Sequence, residues 1–286
     1  MFHVKQNDAG KVLSIDKEGK SIYNIGTIMI ERRAMTKIIA FANQKGGVGK
    51  TTSAINVAAS LGSLGKKVLL IDMDPQGNCT SGVGVDRDKC KFSTYQVLLD
   101  GVSIEEATVK TPFENLWCVP ATMELAGAEI GLSAVVARES ILKKALASVS
   151  SYDYIMMDCP PSLGLLTLNG LCAAREVIVP MQCEYFALEG LSQLMYTVSL
   201  VKKMYNPGLE LGGVILTMYD GRLNLSLAVA AEIRKYFPDR IFRTTVPRNV
   251  RLSEAPSHGK PALYYDKHSK GAQAYLDIAR ELEKRG

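Results

Sequence analysis

No C-x-x-C pair occurs in this chain, and its six cysteines (Cys79, Cys90, Cys118, Cys159, Cys172 and Cys183) have no histidine cluster beside them. That spacing excludes a zinc ribbon or dithiol redox centre and predicts reduced thiols in a cytosolic protein. No run of 18 apolar residues is present, so no membrane-spanning helix is expected. Residues 1–34 lack the basic end, long apolar run and small-residue cleavage site of a signal peptide, and they show no helix-turn-helix periodicity. Neither an internal repeat nor a low-complexity linker suggests a second domain, and 286 residues fit one large α/β domain. What remains is an ordinary globular composition, 47% hydrophobic and 22% charged, long enough to bury a core without staples. A net charge of +5 permits nucleic-acid binding without establishing it, because a patch matters more than a total.

One stretch organises the rest: Asn43-Gln44-Lys45-Gly46-Gly47-Val48-Gly49-Lys50-Thr51-Thr52. It follows the apolar run Ile38 to Ala42 and opens a helix-like run from Thr51 through Leu64. Strand, glycine loop and helix are the context of a phosphate-binding loop. Gly46, Gly47 and Gly49 let the backbone turn its N–H groups inward, and the helix N-terminus adds the positive end of its dipole. Lys50 is expected to reach the β- and γ-phosphates and Thr51 to give its hydroxyl to Mg²⁺. The general motif has a glycine six residues before the lysine; here that place holds Gln44, and a second lysine, Lys45, stands at the loop mouth.

The string KGGVGKTT resembles the deviant Walker A motif of the ParA/MinD/nitrogenase-iron-protein ATPases. The resemblance implies an ATP-dependent homodimer in which Lys45 reaches the nucleotide of the other subunit, with Lys45 through Thr52 forming the nucleotide cradle. The absence of C-x-x-C argues against the iron–sulfur members.

After the loop, short apolar runs at Val68 to Ile71, Tyr154 to Met157, Glu176 to Pro180 and Val214 to Thr217 alternate with helical spacing, clearest from Leu188 to Val201. This predicts an α/β fold, a mostly parallel twisted sheet with helices on both faces. Residues 84–115 predict short helices and loops. The domain is expected to span 35–286, with Met35 close to the functional start and residues 1–34 a mobile extension. Ligands of open α/β sheets sit beyond the carboxyl ends of the strands. Asp158, ending one apolar run, fits the Walker B position and would hold Mg²⁺ through a water. Asp72-Met73-Asp74-Pro75-Gln76-Gly77-Asn78 resembles the family's switch I, which implies that Asp74 orients the attacking water and Asp72 supports the metal shell. Asp158-Cys159-Pro160-Pro161-Ser162 similarly resembles switch II.

Two later strings resemble chromosomal ParA (Soj) proteins, Thr217 to Leu225 and Val246 to Pro261, within a likeness that covers about residues 36–284. By position, the resemblance places Pro247 and Asn249 against the adenine, with Thr217 at a base-reading place. It makes Arg222 and Arg251 the DNA contacts of the ATP-bound dimer. Lys202, Lys203, Arg234 and Lys235 could extend that patch or simply cap helix ends. No aromatic–basic interleaving suggests base stacking, so double-stranded DNA would be held by its phosphates, without sequence preference and weakened by salt. A ParB-like centromere-binding partner that stimulates hydrolysis comes from the family alone, as does association with the nucleoid. The alternative is a MinD-like ATPase, membrane-associated or positioning a protein cargo. Its membrane form needs an amphipathic C-terminal helix. Here the segment Ala272 to Arg285 carries an apolar stripe at Tyr275, Leu276, Ala279 and Leu282, without Phe or Trp and with mixed charge opposite. That pattern predicts a last helix packed on the core.

Overall fold

The computed structural model describes residues 14–15, 21–22 and 36–285. The chain divides into two units, Met1–Ala34 and Met35–Gly286. In the first, β1 (Ser14–Ile15) and β2 (Ser21–Ile22) pair antiparallel. The expectation of a mobile extension lies otherwise outside the described residues.

The second unit is built on seven strands: β3 (Lys37–Phe41), β4 (Val68–Asp72), β5 (Val109–Lys110), β6 (Leu116–Val119), β7 (Tyr154–Asp158), β8 (Glu176–Gln182) and β9 (Glu210–Thr217). They lie in the order β5-β6-β4-β7-β3-β8-β9, parallel throughout except for the β5–β6 edge. Each expected strand is present; β3 lies one residue earlier than its apolar run, and the others extend beyond theirs or begin before them. The β9 strand begins four residues earlier, at Glu210, because Gly212 and Gly213 hide its start from an apolar reading. The short β5 and β6 strands were not expected. Four residues of β6 pair with β4, Val68 against Leu116 through Ile71 against Val119.

The helices are α1 (Lys50–Ser63), α2 (Asn78–Gly82), α3 (Thr94–Leu99), α4 (Ile104–Ala107), α5 (Ala128–Ser133), α6 (Ile141–Leu146), α7 (Leu165–Ala173), α8 (Ala187–Met204), α9 (Asn224–Tyr236), α10 (Val250–Glu254), α11 (Ala262–Tyr265) and α12 (Lys270–Lys284). In the stretch that reads poorly in sequence, α3 and α4 are each started by a capping box, Ser93 with Gln96 and Ser103 with Glu106, which satisfies two end N–H groups reciprocally.

Side chains alternate across a strand, and this divides the core in two. Ile39, Phe41, Val68, Leu70 and Met156 face α1 and α12, whereas Ala40, Leu69, Ile71, Ile155 and Met157 face the layer of α3, α5, α6, α7 and α8. Central strands buried on both faces read as unbroken apolar runs, which is why they were legible. The last helix, α12, commits its apolar face to this core. Tyr275, Ile278, Ala279 and Leu282 are buried against α1, and the Tyr275 hydroxyl meets Ser53 Oγ at 3.0 Å. The expected stripe is corrected in one place: Leu276 is half-buried and Ile278 takes the core position. No helix among the described residues is long and apolar enough to cross a membrane.

The sheet order puts β3 at the switch point, with β4 and β7 to one side and β8 and β9 to the other. Register then brings Phe41 and Asp72 each opposite Asp158. The loop after β3 therefore emerges between two acidic strand ends and the ends of β8 and β9, where an open α/β sheet binds its ligand.

Candidate functional site

The glycine loop between β3 and α1 takes the conformation its composition demands. Gly47 (φ +72°) and Gly49 (φ +85°) lie in the left-handed region, which a side chain would strain. A Cβ on Gly46 or Gly47 would meet nothing within 4 Å, so the loop borders open space. Gly49 is the N-cap of α1, and no side chain caps the helix. The first N–H groups of α1 are thus left for a ligand, and the helix dipole favours an anion there.

Lys50 reaches back across the loop, its Nζ donating to the Lys45 carbonyl at 3.1 Å. It is 6% exposed. Burial lowers its pKa, and the nearby Asp158 and Asp74 carboxylates oppose that shift. Lys45 is exposed and its ammonium pairs with Glu184, just beyond β8.

Asp158 and Asp74 act on this buried ammonium, and Asp72 stands beside Asp158 across the strand pair. Asp72 is fully buried; Oδ2 accepts from the Thr80 N–H (2.8 Å) and hydroxyl (2.6 Å), and Oδ1 from the Asp74 N–H (3.1 Å). Burial pushes its pKa up to about 6 against the pull of the Thr80 hydrogen bonds. With a hydrogen bond on each oxygen, Asp72 anchors the segment that carries Asp74, a place from which it could support a metal shell. Asp74 Oδ1 accepts from the Gln76 N–H at 3.0 Å, and the residue is 9% exposed.

Asp158 differs from both. It is fully buried, and neither carboxylate oxygen has a hydrogen-bond partner of acceptable geometry among the described residues, although the Thr51 hydroxyl is close enough to favour its charged form. Burial first, then the Asp72 charge, raises its pKa well above the carboxylate range. A buried carboxylate without partners is costly, and a divalent cation beside it would balance a site that holds three acids and one lysine. Thr51 and Asp158 therefore fit a magnesium ion, with Asp72 behind them. Magnesium keeps several of its waters and takes oxygens from a bound phosphate, so one carboxylate and one hydroxyl suffice to seat it.

Beside the loop, a cavity of 290 Å³ is lined by Gly49, Thr217, Pro247, Asn249 and others. The expected adenine contacts are thus brought together. Two are already engaged: Asn249 Oδ1 caps α10 by accepting the Arg251 N–H at 3.0 Å, and the Thr217 hydroxyl donates to the Val48 carbonyl at 2.7 Å. Thr217 thus lines the cavity as expected of a base-reading place, with its donor committed to the loop and its oxygen still able to accept.

Arg222 lies in the turn before α9, and Arg251 lies on α10. Arg222 is 89% exposed at its side chain and lies bidentate on Asp220. Arg251 pairs with Glu254 and Asp266. Lys202 with Lys203, and Arg234 with Lys235, occupy the last turns of α8 and α9, where cations suit the helix dipole whatever else they do. All six cysteines are free thiols.

Several site residues carried no motif: Thr80, which fixes Asp72; Glu184, which holds Lys45; and Asn43 and Gln182, which tie the loop to β8. Pro180 and Gln182 sit at a strand's carboxyl end and Glu184 just past it, the position that signals a ligand edge in this class of sheet.

Comparison with known proteins agrees with this geometry. A family model described as an AAA domain matches residues 36–211. The sporulation initiation inhibitor protein Soj of Bacillus subtilis is 54% identical over 253 residues, 88% of this chain and 100% of that protein. The chromosome partitioning protein ParA of Myxococcus xanthus is 53% identical, covering 87% of this chain and 88% of its own length. Among solved structures, a cobyrinic acid a,c-diamide synthase from Mycobacterium smegmatis with bound ADP and magnesium superposes with a TM-score of 0.76 at 41% identity, over 87% of this chain and 95% of that one.

Proposed function

The chain belongs to the Soj/ParA family of chromosome-partitioning ATPases, and from that premise we propose that it hydrolyses ATP as a nucleotide-bridged dimer that holds DNA. The observation that carries the reading is Asp158, a buried and unpartnered carboxylate in register with Asp72 and close to Lys50 and Thr51. ATP would lie on the loop from Lys45 to Thr52, its base in the cavity of Pro247 and Asn249. A magnesium ion held by Thr51 and Asp158 would neutralise charge on the β- and γ-phosphate oxygens.

The chain's own residues supply the rest. Lys50 compensates phosphate charge in a site where burial strengthens its field. Asp72 fixes the turn that presents Asp74, and Asp74 orients the attacking water. Among the described residues the Lys45 ammonium pairs with the exposed Glu184 alone, so it can exchange that partner for the phosphates of a second copy. A nucleotide bound in this way by two subunits would stabilise the dimer by mass action. Arg222 and Arg251 would exchange their carboxylates for DNA phosphates, and a ParB-like protein on a centromere-like site would trigger hydrolysis and release. The setting is the cytoplasm, with the ATP-bound form on the nucleoid.

The test is binding to a random-sequence duplex with ATP, with ADP and without nucleotide, across a salt series, using Lys50→Ala as the control that cannot hold phosphate. Binding that needs ATP, falls with salt and is lost in Lys50→Ala is expected. Dimerisation with ATP but no DNA binding at any salt would reject the DNA-holding role.

A further inference from the structure

We propose that Gln182 and Thr217 are positioning residues for the nucleotide: they hold two consecutive peptide units of the glycine loop so that the Val48 and Gly49 N–H groups face the phosphates. The proposal rests on the nucleotide reading of the loop and assigns part of its affinity to side chains outside the motif.

The two residues end β8 and β9 and are direct partners across that parallel pair. Gln182 Nε2 donates to the Gly47 carbonyl at 3.1 Å, and Thr217 Oγ1 donates to the Val48 carbonyl at 2.7 Å. An amide set against a carbonyl oxygen presents its NH₂ group, and a hydroxyl there must donate. In a trans peptide the C=O and N–H of one unit point in opposite directions, and the described residues contain no cis bond. Drawing the Gly47 carbonyl toward β8 therefore turns the Val48 N–H away from that strand end. Drawing the Val48 carbonyl toward β9 does the same to the Gly49 N–H.

The loop needs such a clamp because of its composition. Gly47 and Gly49 reach left-handed φ values without strain, yet the same freedom opens many other conformations to the unrestrained loop. Three alternate residues along the end of β8 meet three loop residues: the Pro180 carbonyl accepts from Asn43 Nδ2 at 2.8 Å, Gln182 holds Gly47, and Glu184 holds Lys45. Met218 adds an independent sign. It follows Thr217, has φ +48° without being glycine, and its Sδ lies 2.8 Å from the same Gln182 Nε2. Backbone strain of that kind persists where surrounding contacts over-determine it.

If Thr217 acts through the loop, nucleotide affinity depends on its hydroxyl while the choice of base does not. The experiment compares full-length wild type, Thr217→Val, Thr217→Ser and Gln182→Met, measuring dissociation constants for ATP, ADP and GTP and the melting temperature without nucleotide. Wild-type ATP binding establishes the underlying reading; its failure would sink that reading and this one together. Thr217→Val and Gln182→Met are each expected to weaken ATP and ADP by roughly threefold to tenfold, the worth of one hydrogen bond. The ATP-to-GTP ratio should stay unchanged and Thr217→Ser should bind as wild type, while Thr217→Val should also lower the nucleotide-free melting temperature modestly, because the buried Val48 carbonyl loses its donor. Should Thr217→Val fail to fold, Gln182→Met, at the half-exposed rim, carries the comparison. Wild-type affinity in Gln182→Met, an altered ATP-to-GTP ratio in Thr217→Val, or a Thr217→Ser as weak as Thr217→Val would overturn the proposal.

Discussion

At the residue scale the site is defined by carboxylates that share one edge but live in different surroundings. Asp72 and Asp158 are both fully buried, yet Asp72 has hydrogen bonds on both oxygens and Asp158 has none of good geometry. This separation of tasks predicts a trade of stability against function. With no metal present, Asp158→Asn removes a charge that burial and Asp72 both disfavour, so it should stabilise the fold at about pH 7.5, at roughly 1.4 kcal/mol per unit of pKa elevation. The sign follows from the raised pKa. The folded wild type takes up a proton more readily than the unfolded chain, so its penalty fades as pH falls through the raised value toward the ordinary 3.8. The advantage of the variant should therefore shrink in melts at about pH 5. Magnesium-dependent hydrolysis should be lost. A variant less stable than wild type at about pH 7.5 would mean that Asp158 has a partner other than a cation. Asp74, by contrast, is tethered to its own turn through Gln76. Asp74→Ala should keep ATP affinity within about threefold while turnover drops by at least about a hundredfold, the scale of one positioned catalytic group, leaving a long-lived DNA-bound dimer. Hydrolysis at the wild-type rate would move water positioning to another residue.

At the element scale, the legible parts are those whose signal is local. The loop and α1 are set by consecutive residues, and the central strands are read from their unbroken apolar runs. The β5 and β6 strands are two and four residues long, too short for a period to declare itself; β6 exists because β4 offers an edge to pair with, and β5 because β6 does. In α12 the composition indicates a packed helix, but the register that chooses Ile278 over Leu276 for the core comes from α1. The expected consequence is that Ile278→Ala, a truncation of a fully buried side chain, costs about 2–5 kcal/mol in denaturant unfolding. Leu276→Ala should cost distinctly less. Equal losses would place both side chains in the interface and return the stripe to its sequence-read form.

At the scale of the whole molecule, a net charge of +5 decides little, since the candidate DNA contacts are two arginines already paired with carboxylates. Exposed pairs of this kind are worth little, so phosphates can displace them. Arg222→Glu combined with Arg251→Glu should abolish ATP-dependent DNA binding while ATP-dependent dimerisation, followed by size-exclusion chromatography, persists. Retained DNA binding would direct attention to the basic last turns of α8 and α9 instead. In wild type the logarithm of affinity should fall linearly with the logarithm of salt, as counterion release requires.

The sequence by itself determined the phosphate loop, its lysines, the acidic strand ends and the class of sheet, because each is written in neighbouring residues and in the alternation of strand with helix. Only the tertiary structure decided which distant residues serve that loop. Thr80 on Asp72, Glu184 on Lys45, and Gln182 with Thr217 on successive loop carbonyls depend on the strand order and register that align the ends of β4, β7, β3, β8 and β9. Such register is fixed by packing between segments far apart in the chain, and no local pattern encodes it.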